Sequence, residues 1–364
     1  MRISIPTLPY DILHASPSGV EAISASSAVQ RVSEFLSGGK TTLLSGAGVS
    51  VDSGIRAYRG HDGRYMNPNY KPIFYQELVD ESAKGFAFRQ RYWLRSFLGY
   101  LPVKNALPNT THCALAALQY ASVIPHIITQ NVDGLHHKAL LPANLNPVHF
   151  ERSILELHGS LHRVRCKNGH LVDRTEFQQA LGAANPQWQE FLDEAERTGS
   201  QPRTNPDGDV AIEHLGVKYS DFVVPDCPSC IDHDTRNNTH KPDLIFFGES
   251  IPTEVKERSF SDVERTDRLL VMGTTLATYS AFRILKHALD LGKQVLMVNV
   301  GPSRGDGVQG VEKLDIASGA IMDAVTRTVL GSVADTDPVV KEMLAMGIVK
   351  PPAFDDDDPS LVKK

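Results

Sequence analysis

The residues able to do chemistry in this 364-residue chain stand at the ends of short apolar runs. In TTLLSGAGVSVDSGIRAYRG, 41–60, such a run meets Gly46, Ala47 and Gly48, followed by Ser50, Asp52, Ser53 and Gly54. A strand leading into a glycine bend brings main chain close to a phosphate, because only glycine leaves its amides uncovered. Glycine turns also serve loop geometry alone, so the motif by itself admits both readings. After 123–129 (VIPHIIT) come Gln130, Asn131, Asp133 and Gly134, and after 154–157 (ILEL) comes His158-Gly159. Asn and Asp favour bends, but a bend rarely needs Gln-Asn-x-Asp together. His158 and His162 have the spacing of a helical metal pair, yet Gly159 and the preceding strand pattern argue against a helix there.

The elements that position these groups follow from periodicity. The segment 26–37 has one apolar helical face, and Gly38 and Gly39 stop it. A strand is predicted over 41–44, an irregular ligand-covering loop over 61–75 and a helix over 80–100. Pro102 and Pro108 bound a connector, and 110–120 makes a helix with Thr110 as its cap. Strands at 123–129 and 154–157 precede a stretch, 160–242, that holds Cys166, Cys227 and Cys230, much Pro, Asn and Asp, and one helix near 174–197. This stretch reads as an inserted module. Alternation then resumes: strands at 243–247, 268–272 and 294–300, with helices at 281–291 and near 319–330.

Strands alternating with helices imply a Rossmann-like α/β fold, a parallel sheet with helices on both faces. Ligands of such sheets sit beyond the carboxyl ends of the strands, which here carry GAG, QNVDG, HG, FGE, GTT and NVG. The expected organisation is an extension (1–25), a Rossmann-like domain (26–160 and 243–335), a small inserted module (161–242) and a tail (336–364). The acidic run 355–358 reads as a solvated end.

With 41% hydrophobic and 22% charged residues and a net charge of −6, the composition is that of a globular protein with no electrostatic attraction to nucleic acid or anionic membrane. No apolar run approaches the roughly 18 residues of a membrane span. Four cysteines do not make a disulfide scaffold, so a reducing compartment is the default. The N-terminus has neither a secretory apolar core nor an arginine-rich presequence. A hydride-transfer enzyme is disfavoured: Val51 stands where G-x-G-x-x-G needs its third glycine, and the strand ending in a ribose-binding acid about 20 residues further on is missing.

GAGVSVDSGIRAYRG, TQNVDGLH, ELHGSLH, KPDLIFFGE, GTTLATYSAFR and NVGPSRGD resemble, in order and spacing, the motifs of the sirtuin family across roughly 26–330. The segment TNPDGDV (204–210), the CPSC pair and GPSR look like the class II branch that includes the mitochondrial lipoamidase-type sirtuins, in a fungal-type form. The resemblance implies cleavage of NAD at the nicotinamide bond and acyl transfer from a protein lysine to ADP-ribose. ADP-ribosyl transfer or lipoamide hydrolysis on the same site, or a catalytically weak NAD-binding protein, are the alternatives. The branch implies the mitochondrial matrix.

By the same resemblance Gly46, Ala47 and Gly48 hold the pyrophosphate, and Arg59 contacts the cofactor beside Tyr58. Gln130, Asn131 and Asp133 hold the ribose and the nicotinamide carboxamide, Asn131 being counted as catalytic as well, and Ser50 is a further cofactor-binding residue. Gly273, Thr274 and Thr275 face a phosphate, and Asn299, Gly301 and Ser318 lie on the adenosine side. His158 is the general base, since an imidazole titrating near neutrality suits proton abstraction from a ribose hydroxyl. Phe247, Gly248 and Glu249, with Leu276 to Thr278 opposite, flank an acyl-lysine peptide that adds as a strand. Tyr92 and Arg95 form the Y-x-x-R that receives acidic acyl groups, arginine pairing bidentately with a carboxylate. Two departures stand out. Arg56-Ala57 replaces the usual Pro-Asp, and Gly169 occupies the position of a zinc-binding cysteine, leaving Cys166, His170, Cys227 and Cys230 as the ligand set, a chemically ordinary one for zinc.

Overall fold

The computed structural model describes Leu8 and residues 23–58, 72–198 and 218–351. Two sheets organise these residues. In chain order the first elements are α1 (Ala25–Ser37), β1 (Thr41–Ser45), α2 (Tyr75–Val79), α3 (Ala83–Asn105), α4 (Thr110–Tyr120) and β2 (His126–Thr129). They are followed by α5 (Leu135–Leu140), α6 (Pro147–Ser153) and β3 (Ile154–Glu156). The small-sheet region holds β4 (Gly159–Cys166), β5 (Leu171–Asp173), α7 (Arg174–Ala184), α8 (Pro186–Thr198), α9 (Pro228–Ile231) and β6 (His240–Leu244). The chain then runs through α10 (Thr253–Glu264), β7 (Arg268–Met272), α11 (Tyr279–Asp290), β8 (Gln294–Val298) and β9 (Val311–Leu314). It closes with α12 (Met322–Leu330), α13 (Val333–Thr336) and α14 (Pro338–Met346).

The large sheet is six-stranded, ordered β3-β2-β1-β7-β8-β9, with every pairing parallel. Consecutive strand residues point to opposite faces. Leu43, Ile127, Leu270 and Leu296 pack under α1, α4, α5, α12 and α14, while Leu44, Ile128, Leu269, Val271 and Val295 pack under α10 and α11. Both faces are therefore covered, which is why these strands read as near-continuous apolar runs. From β1 the chain builds outward to β2 and β3; later it returns beside β1 with β7 and builds the other way. The switch point, where such sheets bind ligands, lies between β1 and β7.

Several expectations are corrected. The 243–247 strand does not join the parallel sheet: β6 spans His240–Leu244 and runs antiparallel to β4 in the three-stranded sheet β5-β4-β6. Local alternation cannot distinguish the two sheets. The helix cap is Asn109, whose side chain accepts from His112 N–H, rather than Thr110. The helix over 80–100 runs on to Asn105 through Pro102, because a proline in the last turn removes only one terminal bond. The helix near 174–197 is two helices, broken at Asn185-Pro186. Strand β9 was not anticipated; its sequence VEKL carries little strand signal. Residues 338–346 are no tail, since Val340 and Met343 of α14 are fully buried in the main core. Finally, Trp93, Leu94, Phe97 and Leu98 of α3 form one core with Val164, Phe177, Leu181 and Trp188. The small lobe therefore draws its core from both sides of β3.

Candidate functional site

The turn after β1 and the turn after β7 touch. Gly46 N–H donates to Met272 O at 3.0 Å, and Gly48 N–H donates to Gly273 O at 2.8 Å. A Cβ on Gly46 would lie 2.6 Å from Thr274 Cβ, and one on Gly48 2.8 Å from Gly273 Cα. Gly273 itself has φ +60°, with Val49 N 2.6 Å from its would-be Cβ. Glycine is required here for close approach of two loops. Two of the three amides expected to cradle phosphate are thus used inside the fold. Ala47 N–H alone has no internal acceptor among the described residues.

Beneath this contact a buried polar network assembles. Ser50 Oγ donates to Asp133 Oδ2 at 2.8 Å and accepts from Asn131 Nδ2 at 2.9 Å. It also lies 3.4 Å from His112 Nε2, while His112 Nδ1 lies 3.0 Å from Asn109 Oδ1. Asn109 Nδ2 donates to Val49 O at 2.8 Å, tying the start of α4 to the glycine turn. Gln130 Nε2 donates to Thr274 Oγ1 at 2.9 Å and to Ser45 O at 3.2 Å. His136 Nε2 meets Ser45 Oγ at 2.9 Å, and its ring packs edge-on to His112, centroids 4.9 Å apart. Burial pushes both imidazoles down to about 3, so they are neutral. Gly134 opens α5 with φ +70°, and Asp133 Oδ1 accepts from Leu135 N–H at 2.9 Å. Gln130, Asn131 and Asp133 are brought together with Ser50 as expected; His112, His136 and Asn109 were missed. The signal for Asn109 and His112 was present in N-x-x-H, which works as a capping box at the start of α4.

His158 stands at the turn joining the two sheets, half-buried, with Nε2 2.9 Å from Ser280 Oγ on α11. Two residues earlier the half-buried Glu156 lies beside Arg163 (3.7 Å) and His137 (3.8 Å); desolvation lifts its carboxyl to about 7. Thr275 and Leu276 continue the β7 turn. Leu276 is fully buried at φ +53°, a left-handed conformation that costs energy for any residue but glycine. Asn299 follows β8 and donates to Val300 O and Gly301 O in its own turn. Gly301 has φ +72°, and Ser318 Oγ accepts from Thr111 Oγ1 at 3.2 Å, close to the α4 cap. Arg59 and the segment 204–210 lie outside the described residues.

On the small-lobe side Tyr92 packs edge-on to Trp93 and Phe246, with Arg95 one turn further along α3. Phe247 O accepts from Tyr75 N–H at 2.9 Å, so one edge of this segment is already paired. Gly248 has φ +84° against the Gln76 side chain. Glu249 binds Lys241 at 3.1 Å and accepts from Phe246 N–H, so it closes its own turn.

Cys166, His170, Cys227 and Cys230 bring their ligand atoms within 4.8 Å of one another. Cys166 Sγ to Cys230 Sγ is 3.8 Å, and His170 Nδ1 lies 3.6, 3.7 and 3.4 Å from Cys166, Cys227 and Cys230. A tetrahedron built on Zn–S bonds of about 2.3 Å has edges of about 3.8 Å, so the donor set fits a structural zinc. Gly169 takes φ +88°, and that turn delivers His170 rather than residue 169 to the sulfurs.

A doubly wound sheet with polar turns at its switch point and a Cys₃His lobe defines a nucleotide-binding α/β protein with a zinc-type module. The sequence model of the Sir2 family matches residues 46–280. The chain is 41% identical over 296 residues to the NAD-dependent protein deacylase SIR4 of Batrachochytrium dendrobatidis, covering 80% of this chain and 90% of that one. It is 36% identical over 298 residues to the NAD-dependent protein deacylase SRT2 of Arabidopsis thaliana, covering 80% and 74%. A solved Sir2 homologue–NAD complex shares the fold at TM-score 0.56 and 23% identity, covering 84% and 94%. The chain belongs to the Sir2, or sirtuin, family.

Two predictions follow from this geometry. The folded state keeps His112 and His136 neutral below the ordinary histidine range near 6.5, so the unfolded chain binds more protons as pH falls. Stability is fully present above about pH 6.5 and declines toward pH 3, by up to about 1.4 kcal/mol per pH unit for each histidine. Urea midpoints measured from pH 7 to 4.5 should fall, and His136→Gln should flatten that fall; equal slopes would contradict it. Metal analysis should find about one zinc per chain, lost in His170→Ala together with cooperative unfolding of the small lobe. Metal-free protein with an intact small lobe would overturn this reading.

Proposed function

We propose that the protein is an NAD-dependent protein-lysine deacylase. The observation that carries this is the Ser50–Asn131–Asp133 network beside the touching turns after β1 and β7 in a Sir2-family chain, with His158 at the β3–β4 turn bonded to Ser280 of α11. Bound NAD supplies a nicotinamide leaving group and a ribose C1′ open to attack by an acyl-lysine carbonyl oxygen. The turns at 46–48 and 273–275 take the phosphates. Asn131 and Asp133, fixed by Ser50, orient the ribose and the carboxamide. Preorganised polar groups of this kind need no rearrangement during reaction. His158 Nε2 takes a proton from a ribose hydroxyl, with Ser280 Oγ as its resting partner. Asn299, Gly301 and Ser318 line the adenosine side.

An acyl-lysine peptide enters between 247–248 and 276–278. The main chain of 247–248, anchored by Tyr75 N–H on Phe247 O, supplies the strand-like bonds to the peptide. Glu249, paired with Lys241, shapes that wall from behind. Tyr92 and Arg95 on α3 support acidic acyl groups, and the class II resemblance supports a mitochondrial address. Arg56-Ala57 favours a second reading, a binding protein with little turnover, because a carboxylate is missing beside the nicotinamide position.

Nicotinamide release from NAD separates the two. Release stimulated by acyl-lysine peptide, and lowered about 100-fold or more in His158→Ala, is the expected result. Release no higher than in His158→Ala would establish the binding protein instead. On acetyl- and succinyl-lysine peptides, Arg95→Met should lose activity selectively on the succinyl peptide; an unchanged preference sinks the acyl-pocket assignment.

A further inference from the structure

The C-terminal residues 347–350, beyond the family-matched segment, run between two parts of the nucleotide site. Ile348 N–H donates to Pro108 O at 3.2 Å, and Ile348 O accepts from Thr110 N–H at 3.3 Å. Lys350 N–H donates to Asp52 O at 2.7 Å, and bridges pair Asn109 with Ile348 and Ser53 with Lys350. The approach leaves no slack, since a Cβ on Gly347 would lie 2.7 Å from Thr110 Cα. Upstream, α14 anchors the segment through Val340 and Met343, both fully buried.

The two ends of this bridge share a task. Asn109, held between Pro108 and Thr110, donates to Val49 O from one side. Asp52, held by Lys350, belongs to the turn in which Ser53 N–H and Ile55 N–H donate to Ser50 O at 3.0 and 3.4 Å. Val49, Ser50 and Asp52 are therefore gripped from both flanks, and Ser50 is the residue on which Asn131 and Asp133 converge. We infer that residues 347–350 are a positioning strap for the cofactor-binding turn, acting through main-chain hydrogen bonds. The inference rests on the deacylase reading for its kinetic consequence only.

The test is Lys350→Pro in the full chain, which deletes the N–H donated to Asp52 and leaves the rest of the strap. With saturating acyl-lysine peptide, KM for NAD should rise about 3- to 10-fold, the worth of one such hydrogen bond, with kcat within about twofold. Lys350→Ala keeps the N–H and should restore the wild-type KM. Gly347→Val, which displaces the other end from Thr110, should raise KM as Lys350→Pro does. Hydrogen exchange at Ser53 and Gly54 should quicken several-fold in Lys350→Pro without nucleotide. Should wild type release no nicotinamide, the exchange result still decides the strap while the deacylase reading fails. An unchanged KM and exchange rate in Lys350→Pro, or an equal rise in Lys350→Ala, would overturn the proposal.

Discussion

The close contact between the turns at 46–48 and 273–274 is the constraint on which the site depends. Parallel strands β1 and β7 lie side by side and end at the same level, so whatever follows each must pass the other. Gly48 N–H on Gly273 O and Gln130 on Thr274 Oγ1 make one surface of three strand ends. Side chains at 46, 48 or 273 would force them apart. Because the sheet's topology reverses between β1 and β7, this is also where helices leave in opposite directions and a crevice opens.

From that surface the polar groups descend in an ordered way. Ser50 sits one short helical turn beyond the glycines, where its hydroxyl both donates to Asp133 and accepts from Asn131. Neutral His112 and His136 lie behind it, sealed by burial and fixed by Asn109 and Ser45. A buried polar cluster is favourable only when its members satisfy one another, and this one is mostly closed. His136 Nδ1 is the exception, a buried atom without a hydrogen-bond partner among the described residues. His158 lies where β3 hands the chain to β4, with Nε2 2.9 Å from Ser280 Oγ, so its placement depends on that junction. Glu156, Arg163 and Asp243 link the two sheets beside it.

The large sheet was legible because its strands are buried on both faces and leave unbroken apolar runs such as TTLLS and RLLVM. So were the strand-end residues, because glycines and amides cluster where the apolar runs stop. The affiliation of β6 was not legible: HKPDL pairs with β4 through main chain, which no side-chain pattern records. Nor was the role of α3 in the small lobe, since Trp93 and Phe97 look the same whichever core receives them. His112 was legible only through its N-x-x-H spacing from Asn109; otherwise a histidine inside an apolar helix reads as core. The glycines were read for their amides, whereas the fold uses those amides and requires the absence of Cβ. His170 as the fourth zinc-type donor was expected from resemblance, and Gly169's left-handed turn supplies the reason.

The most direct test of the account is calorimetric titration of ADP-ribose into wild type and Gly48→Ala. The added methyl meets Gly273 main chain, so the turns must part while the two cores of the sheet remain. The account predicts binding to wild type and at least about a tenfold weaker affinity in a still cooperatively folded Gly48→Ala. Wild-type affinity in that variant would contradict it.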